Sequence, residues 1–203
     1  MDIPLPDNAQ IRRDGQLGTI TFLKGDDLSA QVSASEEYRT AVQRNDYAVA
    51  ALLFMAFHEN EFRLLDAAEE FVPLSTQKDP QGNTHVKLGQ VYKGLPVHAS
   101  ELIVHFDPRD RIYLVNGRYI PTPTEVSTEP GIQVEAAQKV AAHSIQSSCA
   151  NCDSRLVVLP QATKNPRLAW EVTARPSILK GWLVFVDAHS GSVLNTLSLV
   201  QSK

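Results

Sequence analysis

The stretch THVKLGQVYKGLPV, Thr84–Val97, sets the period on which the first half of the chain is built. Val86, Leu88, Gln90 and Tyr92 alternate with His85, Lys87 and Gly89, so the two sets face opposite sides of a strand. Gly94 tolerates positive φ and Pro96 fixes its own φ, and together they bend the chain between two strands. The next run puts Leu102, Val104 and Phe106 on one face and Ile103 and His105 on the other. Asp107–Asp110 turns the chain into Ile112–Val115, and Asn116-Gly117 marks another turn. Upstream, Phe71–Leu74 leads into a turn at Asp79–Asn83. These spacings predict an antiparallel meander with one face on a core.

The element that supplies that core precedes it. From about Ser35 to Leu65 the pattern is helical, with Ser35 as cap and acids just behind it. Val49, Leu53 and Ala56 recur at helical spacing, and Ala48–Phe57 is apolar nearly all round, which predicts a buried helix. Before it, Gly18–Leu23 reads as a short strand after a polar lead. Pro121–Pro130 is rich in proline and polar residues and reads as a linker. A second cycle follows: a helix over Val134–His143, then strands at Leu156–Leu159, Leu168–Ala174, Trp182–Asp187 and Val193–Val200, with Gly191 at a tight turn. The expected class is α+β in two lobes, each a helix on an antiparallel meander: residues 1–120, a linker at 121–131, and residues 132–203.

Composition narrows the function classes. The chain has 203 residues, enough for one sizeable core or two small ones, and its 43% hydrophobic and 21% charged content is that of an ordinary globular protein. A net charge of -4, with Arg12-Arg13 followed at once by Asp14, argues against nucleic acid as a partner. The longest apolar run, Ala48–Phe57, is half of what a bilayer span needs, so no membrane span is expected. The first ten residues, MDIPLPDNAQ, have neither a cationic region nor an apolar signal core, which leaves a cytosolic protein or one whose leader has been removed.

Several stretches invite a catalytic reading and fail it. FHENEF, Phe57–Phe62, begins like the zinc-protease signature His-Glu-x-x-His, but its fifth position is Phe62, which has no lone pair. The expectation is a helix end with a partly exposed His58 and solvated acids. Cys149-Ala-Asn-Cys152 follows a helix and precedes a strand, so no helix N-terminus lowers a thiol pKa there; a local disulfide or two thiols both fit. Ser190-Gly191-Ser192 is no nucleophile elbow, and the glycines form no phosphate loop. Glu69-Glu70 and Asp26-Asp27 read as solvated carboxylates, and the six histidines make no metal spacing. No catalytic residue and no metal ligand is expected in this chain.

The opening motif also carries a resemblance. Thr84–Val97 is similar to the signature of the fungalysin/thermolysin propeptide domain, a His-Val-Arg element followed by Gln and then Gly-x-Pro-Val. Gln90, Tyr92, Gly94 and Pro96 are the positions that match. Lys87 replaces the usual Arg, Gly89 stands where a second Gln is common, and His98-Ala99 replaces an aromatic-Gly pair. The second lobe resembles a PepSY domain, above all at Trp170-Glu-Val and Trp182–Leu194. The two in this order resemble the pro-regions of thermolysin-like zinc metallopeptidases, over about Gly18 to Val200.

That resemblance implies a cystatin-like and PepSY-like fold and a non-catalytic role: intramolecular chaperone and inhibitor of a cognate metalloprotease domain. Zinc and calcium would belong to that partner alone. It implies secretion with the signal peptide removed, and hence an oxidised Cys149–Cys152 pair. It also implies that the segment leaving the last strand enters the protease cleft, with Leu197, Leu199 and Val200 apolar enough to fill its subsites. Processing after Lys203 would leave a new carboxylate there for the protease's zinc. The alternative is a free-standing module of the same fold that binds or inhibits proteases in trans.

Overall fold

The alternation at Thr84–Val97 becomes a hairpin strand of an antiparallel sheet and the start of its partner. The computed structural model describes residues 3–147, 149, 152–161, 165–177 and 180–199. The chain divides into two units, Met1–Pro123 and Thr124–Lys203. In the first, β1 (Gln10–Arg13), β2 (Ile20–Lys24), β3 (Phe71–Lys78), β4 (Thr84–Tyr92), β5 (Leu95–Phe106) and β6 (Ile112–Arg118) pair in the order β1-β2-β6-β5-β4-β3, all antiparallel. Val86, Leu88, Leu102, Val104, Phe106, Ile112 and Val115 are fully buried on one face of this sheet. They form one core with Ala50, Ala51, Phe54 and Met55 of the helix before it.

That helical region is not one helix but three short ones. α1 (Glu36–Gln43) is capped by Ser35, whose hydroxyl accepts from Tyr38 N. Asn45, at φ +57°, breaks the run, and Asp46 restarts it by accepting from Val49 N at the head of α2 (Tyr47–Phe57). His58 ends α2, and Arg63 at φ +59° ends α3 (Glu59–Phe62). Asn and Asp compete for backbone hydrogen bonds in just this way, and the apolar period alone could not show it. A fourth turn of helix, α4 (Ala67–Glu70), leads into β3. Val49, expected in the buried stripe, is 42% exposed.

Two other expectations are corrected. The polar lead contains a strand, β1, all of whose residues are exposed, so it carries no alternation to read. Asn116-Gly117 is not a turn, because β6 continues through it to Arg118. Gly117, at φ +147°, lets the strand run against β5 where a Cβ would collide with the Glu101 carbonyl oxygen.

The second unit is a helix on a four-strand meander, which gives the chain an α+β architecture. α5 (Val134–Ser144) lays Ala137 and Ala141 against Val172, Val184 and Val186, all fully buried. Small alanines let the helix approach the sheet closely. β7 (Asp153–Leu159), β8 (Arg167–Ser177), β9 (Lys180–Asp187) and β10 (Val193–Ser198) follow one another in sequence and in space. At the β9–β10 turn, Asp187 Oδ1 accepts from His189 N, Ser190 N and Ser190 Oγ. Gly191 there takes φ +73°.

Candidate functional site

The four motif positions do different work. Gln90, 2% exposed, lies at a register break between β4 and β5. Its Nε2 donates to Ile120 O at 2.8 Å and its Oε1 accepts from Ile120 N at 3.0 Å. One side-chain amide thus replaces a missing strand for a residue just past the end of β6. Tyr92 is buried, with Lys93 Nζ 5.1 Å from its ring centroid. Lys93 (φ +48°) and Gly94 (φ +80°) make a two-residue hairpin turn that pairs Tyr92 with Leu95. Pro96 sits inside β5 opposite Val91. Gly94 thus makes the bend, while Pro96 fixes the first residues of the returning strand.

Two of the departures from the motif have a visible structural setting. Lys87 Nζ reaches Glu101 Oε2 across β4 and β5 at 2.6 Å. Ala99 stands at φ +53° inside β5, a left-handed conformation that suits the glycine it replaces. Beside the motif, Tyr119 is fully buried, donates to Phe62 O at 2.8 Å and accepts from Ile20 N at 3.2 Å. Burial pushes its hydroxyl pKa well up, so it stays neutral.

His58 and Phe62 of FHENEF are interior scaffold. His58, expected to be partly exposed, is fully buried; its Nδ1 lies 2.6 Å from Ile3 O, and its ring meets Phe54 edge-on at 4.7 Å. Phe62 is fully buried between Phe54 and Tyr119, each with ring centroids 6.2 Å from its own. Glu59 is no solvated acid either, since its Oε1 accepts from Ala67 N at 2.9 Å. Nor is Glu70, which is 6% exposed. Its carboxylate accepts from Leu65 N (2.8 Å), Asp66 N (3.0 Å) and Thr122 Oγ1 (2.6 Å), fastening the end of the first unit to α4. Sequence reasoning missed Ile120 and Thr122, whose partners lie 30 to 57 residues away, and Glu70, whose carboxylate joins nearby loop N–H groups to Thr122, 52 residues on.

Among the described residues, no group of three or more His, Cys, Asp or Glu side chains is placed to hold a metal ion. Cys149 and Cys152 are joined by a disulfide, and both pack against the α5 core, as Trp170 and Trp182 do. Leu197 and Leu199 are 43% and 41% exposed, yet they are not a loose tail. Leu197 pairs with Leu183 in the β9–β10 ladder, and Leu199 N donates to Gly181 O at 2.8 Å. Val200 and Lys203 lie outside the described residues.

Residues 69–119, the segment that holds β3 to β6 and the Gln90–Tyr92–Gly94–Pro96 turn, match the family Fungalysin/Thermolysin Propeptide Motif. Thermolysin of Alicyclobacillus acidocaldarius subsp. acidocaldarius is 29% identical over 150 residues, covering 68% of this chain and 27% of that protein. Bacillolysin of Bacillus subtilis (strain 168) is 26% identical over 179 residues, covering 77% of this chain and 32% of that protein. The chain therefore spans about a third or less of the length of the curated relatives it matches. The solved structure of the Bacillus megaterium YpeB C-terminal domain is similar over 96% of this chain and 76% of that one, at 13% identity and a TM-score of 0.43. The class is thus an α+β scaffold built around a propeptide motif. More particularly, the chain resembles the pro-region of thermolysin-like zinc metallopeptidases.

Proposed function

We propose that this chain is the pro-region of a secreted thermolysin-like metalloprotease, assisting the catalytic domain to fold and then blocking its cleft. The carrying observation is the propeptide motif over residues 69–119, in which Gln90 fastens Ile120 and Gly94 makes the hairpin turn. In this reading the scaffold presents a binding surface to the protease. Binding to the native-like protease stabilises it by mass action, by about 2.7 kcal/mol at a hundredfold excess over Kd. If the same surface also binds the folding transition state, it lowers the barrier. In this reading the two units are cystatin-like and PepSY-like lobes, and zinc and calcium reside on the partner.

The inhibitory element in this reading is the end of the second unit. β10 already holds Leu197 extended, with its side chain turned outward, and the ladder bond of Leu199 continues that geometry. A protease accepts substrate as an extended strand, so this pre-ordering reduces the entropy lost on binding. In this reading the chain that follows Leu199 would continue into the cleft. Secretion would also favour the Cys149–Cys152 disulfide.

The test is refolding of a denatured thermolysin-like protease domain with and without the separately expressed chain. The expected result is a higher yield of active enzyme, formed as an inhibited complex. A chain trimmed of Leu199–Lys203 should still raise the yield but inhibit at least tenfold more weakly. Equal inhibition by the trimmed chain would refute the tail, and an unchanged refolding yield would refute the chaperone role.

A further inference from the structure

Four segments of the first unit meet at a pair of imidazoles. His85 of β4 lies directly opposite His105 of β5, and their Nδ1 atoms are 2.7 Å apart. On the outer side, His85 Nε2 is 3.2 Å from Asp79 Oδ2 in the β3–β4 turn. His105 Nε2 is 2.7 Å from Asn116 Oδ1 on β6. Asp79 is itself held, accepting from Gln81 N, Asn83 N and Asn83 Nδ2. The rings meet at 72° with centroids 4.8 Å apart, so they are fixed in this contact rather than stacked.

Counting protons decides what such a pair can hold. Oxygen acceptors at both outer nitrogens require hydrogens there, and two neutral rings would then face each other with two lone pairs at 2.7 Å. One extra proton removes the conflict: His85 donates through both nitrogens, and His105 accepts at Nδ1 and donates to Asn116. Turning the Asn116 amide by half a turn lets the neutral pair form the same chain, because its Nδ2 then donates to His105 Nε2. A fourth proton has no solution, since two N–H donors would then point at each other within hydrogen-bond distance.

The groups around the pair are few and mostly paired among themselves. Gln77 of β3 lies opposite His85, and Leu114 of β6 opposite His105, with Lys24 of β2 next in the row. Tyr113 is 5.9 Å from the His105 ring, and burial raises its hydroxyl pKa. Two ion pairs, Lys87–Glu101 and Asp107–Arg111, occupy the neighbouring positions and satisfy themselves. Asp79 is the charged group within hydrogen-bond reach, and bonds from the Asn83 side chain, then from backbone N–H groups and His85, hold its pKa at about 2 despite burial. It therefore stays a carboxylate throughout the range in which histidine titrates.

We propose that Asp79, His85, His105 and Asn116 form a proton-operated latch that ties the β3–β4 turn, β4, β5 and β6 together at neutral pH and opens when both rings are charged. Burial lowers the His105 pKa from its ordinary value, and charge on His85 lowers it further, while the Asn116 bond opposes them. A group with a depressed folded pKa contributes stability that is complete above about pH 6.5 and is lost as pH falls through the folded value. The latch lies wholly within residues 69–119 but concerns the stability of the unit itself, whatever partner the chain binds.

The experiment is urea unfolding of the whole chain from about pH 7.5 to 4.5, in EDTA, for the wild type and His105→Gln. Below about pH 6 the wild-type folding equilibrium constant should fall faster than that of His105→Gln, by up to about tenfold per pH unit, the effect of one proton. The variant subtracts every other histidine, including buried His58. Should His105→Gln fail to fold, the wild-type imidazole NMR titrations decide: one ring of the pair should titrate well below the other, in two coupled steps. Equal pH slopes, or two independent titrations near about pH 6.5, would overturn the latch. So would a rise in wild-type stability, absent from His105→Gln, when zinc replaces the EDTA, since the pair would then hold a metal and not a proton.

Discussion

Replacing Gln90 by Ala removes two hydrogen bonds, at 2.8 and 3.0 Å, and strands both of their partners. Those partners are the N–H and C=O of Ile120, a residue 4% exposed, so water does not easily replace the lost amide. An unsatisfied buried polar group costs about 1–3 kcal/mol, which places the pair at about 2–6 kcal/mol before any loss of packing. Against a usual total of about 5–15 kcal/mol, that is a large fraction of stability. In urea, with m of about 1–3 kcal/mol/M, the midpoint should drop by on the order of 1–3 M without a change in slope. Gln90→Glu sharpens the test. Ionised, it can accept from Ile120 N but offers nothing to Ile120 O and buries a charge; protonated, it can make both bonds. Its deficit relative to wild type should therefore shrink as pH falls from 7 towards 4.5. A loss under about 0.5 kcal/mol for Gln90→Ala, the range of ordinary surface changes, would refute the reasoning.

Three further substitutions probe the same unit. Ala99→Gly should stabilise by about 0.5–1 kcal/mol, because the left-handed φ of Ala99 costs about 1–2 kcal/mol and the freer unfolded glycine offsets part of the gain; thermal melting reads it. Phe62→His should create no peptidase activity on a casein substrate, with or without zinc, and should lower stability by about 3 kcal/mol or more, since Phe62 packs between Phe54 and Tyr119. His58→Ala should cost about 2–4 kcal/mol by urea unfolding, from a cavity and a lost bond to Ile3 O. Once folded, that variant should bind a protease as the wild type does, because His58 is buried.

How far the sequence reaches depends on the kind of signal. Strands with one buried face, such as Val86–Tyr92 and Leu102–Phe106, announce themselves by period two, and both lie where that period puts them. β1 has no buried face and so no period. The break at Asn45 and Asp46 is carried by backbone competition that an apolar repeat hides. Buried polar groups are the hardest to read. Gln90 gave a signal by sitting in an apolar alternation, since an amide there must find partners, but nothing pointed to Ile120 as the partner. Glu70 gave no signal, because its three donors come from a loop and from Thr122. The facing of His85 and His105 follows from register, which two residues' types cannot fix.

The central claim is that this chain restrains a thermolysin-like protease. Titration of the purified, folded chain against such an enzyme, with a peptide substrate at fixed concentration, tests it most directly. Activity should fall and saturate at one chain per enzyme, with a Kd at or below about 1 μM, equivalent to about 8 kcal/mol of binding. Full protease activity at tens of micromolar of intact, folded chain, across thermolysin-like enzymes from several relatives, would contradict it.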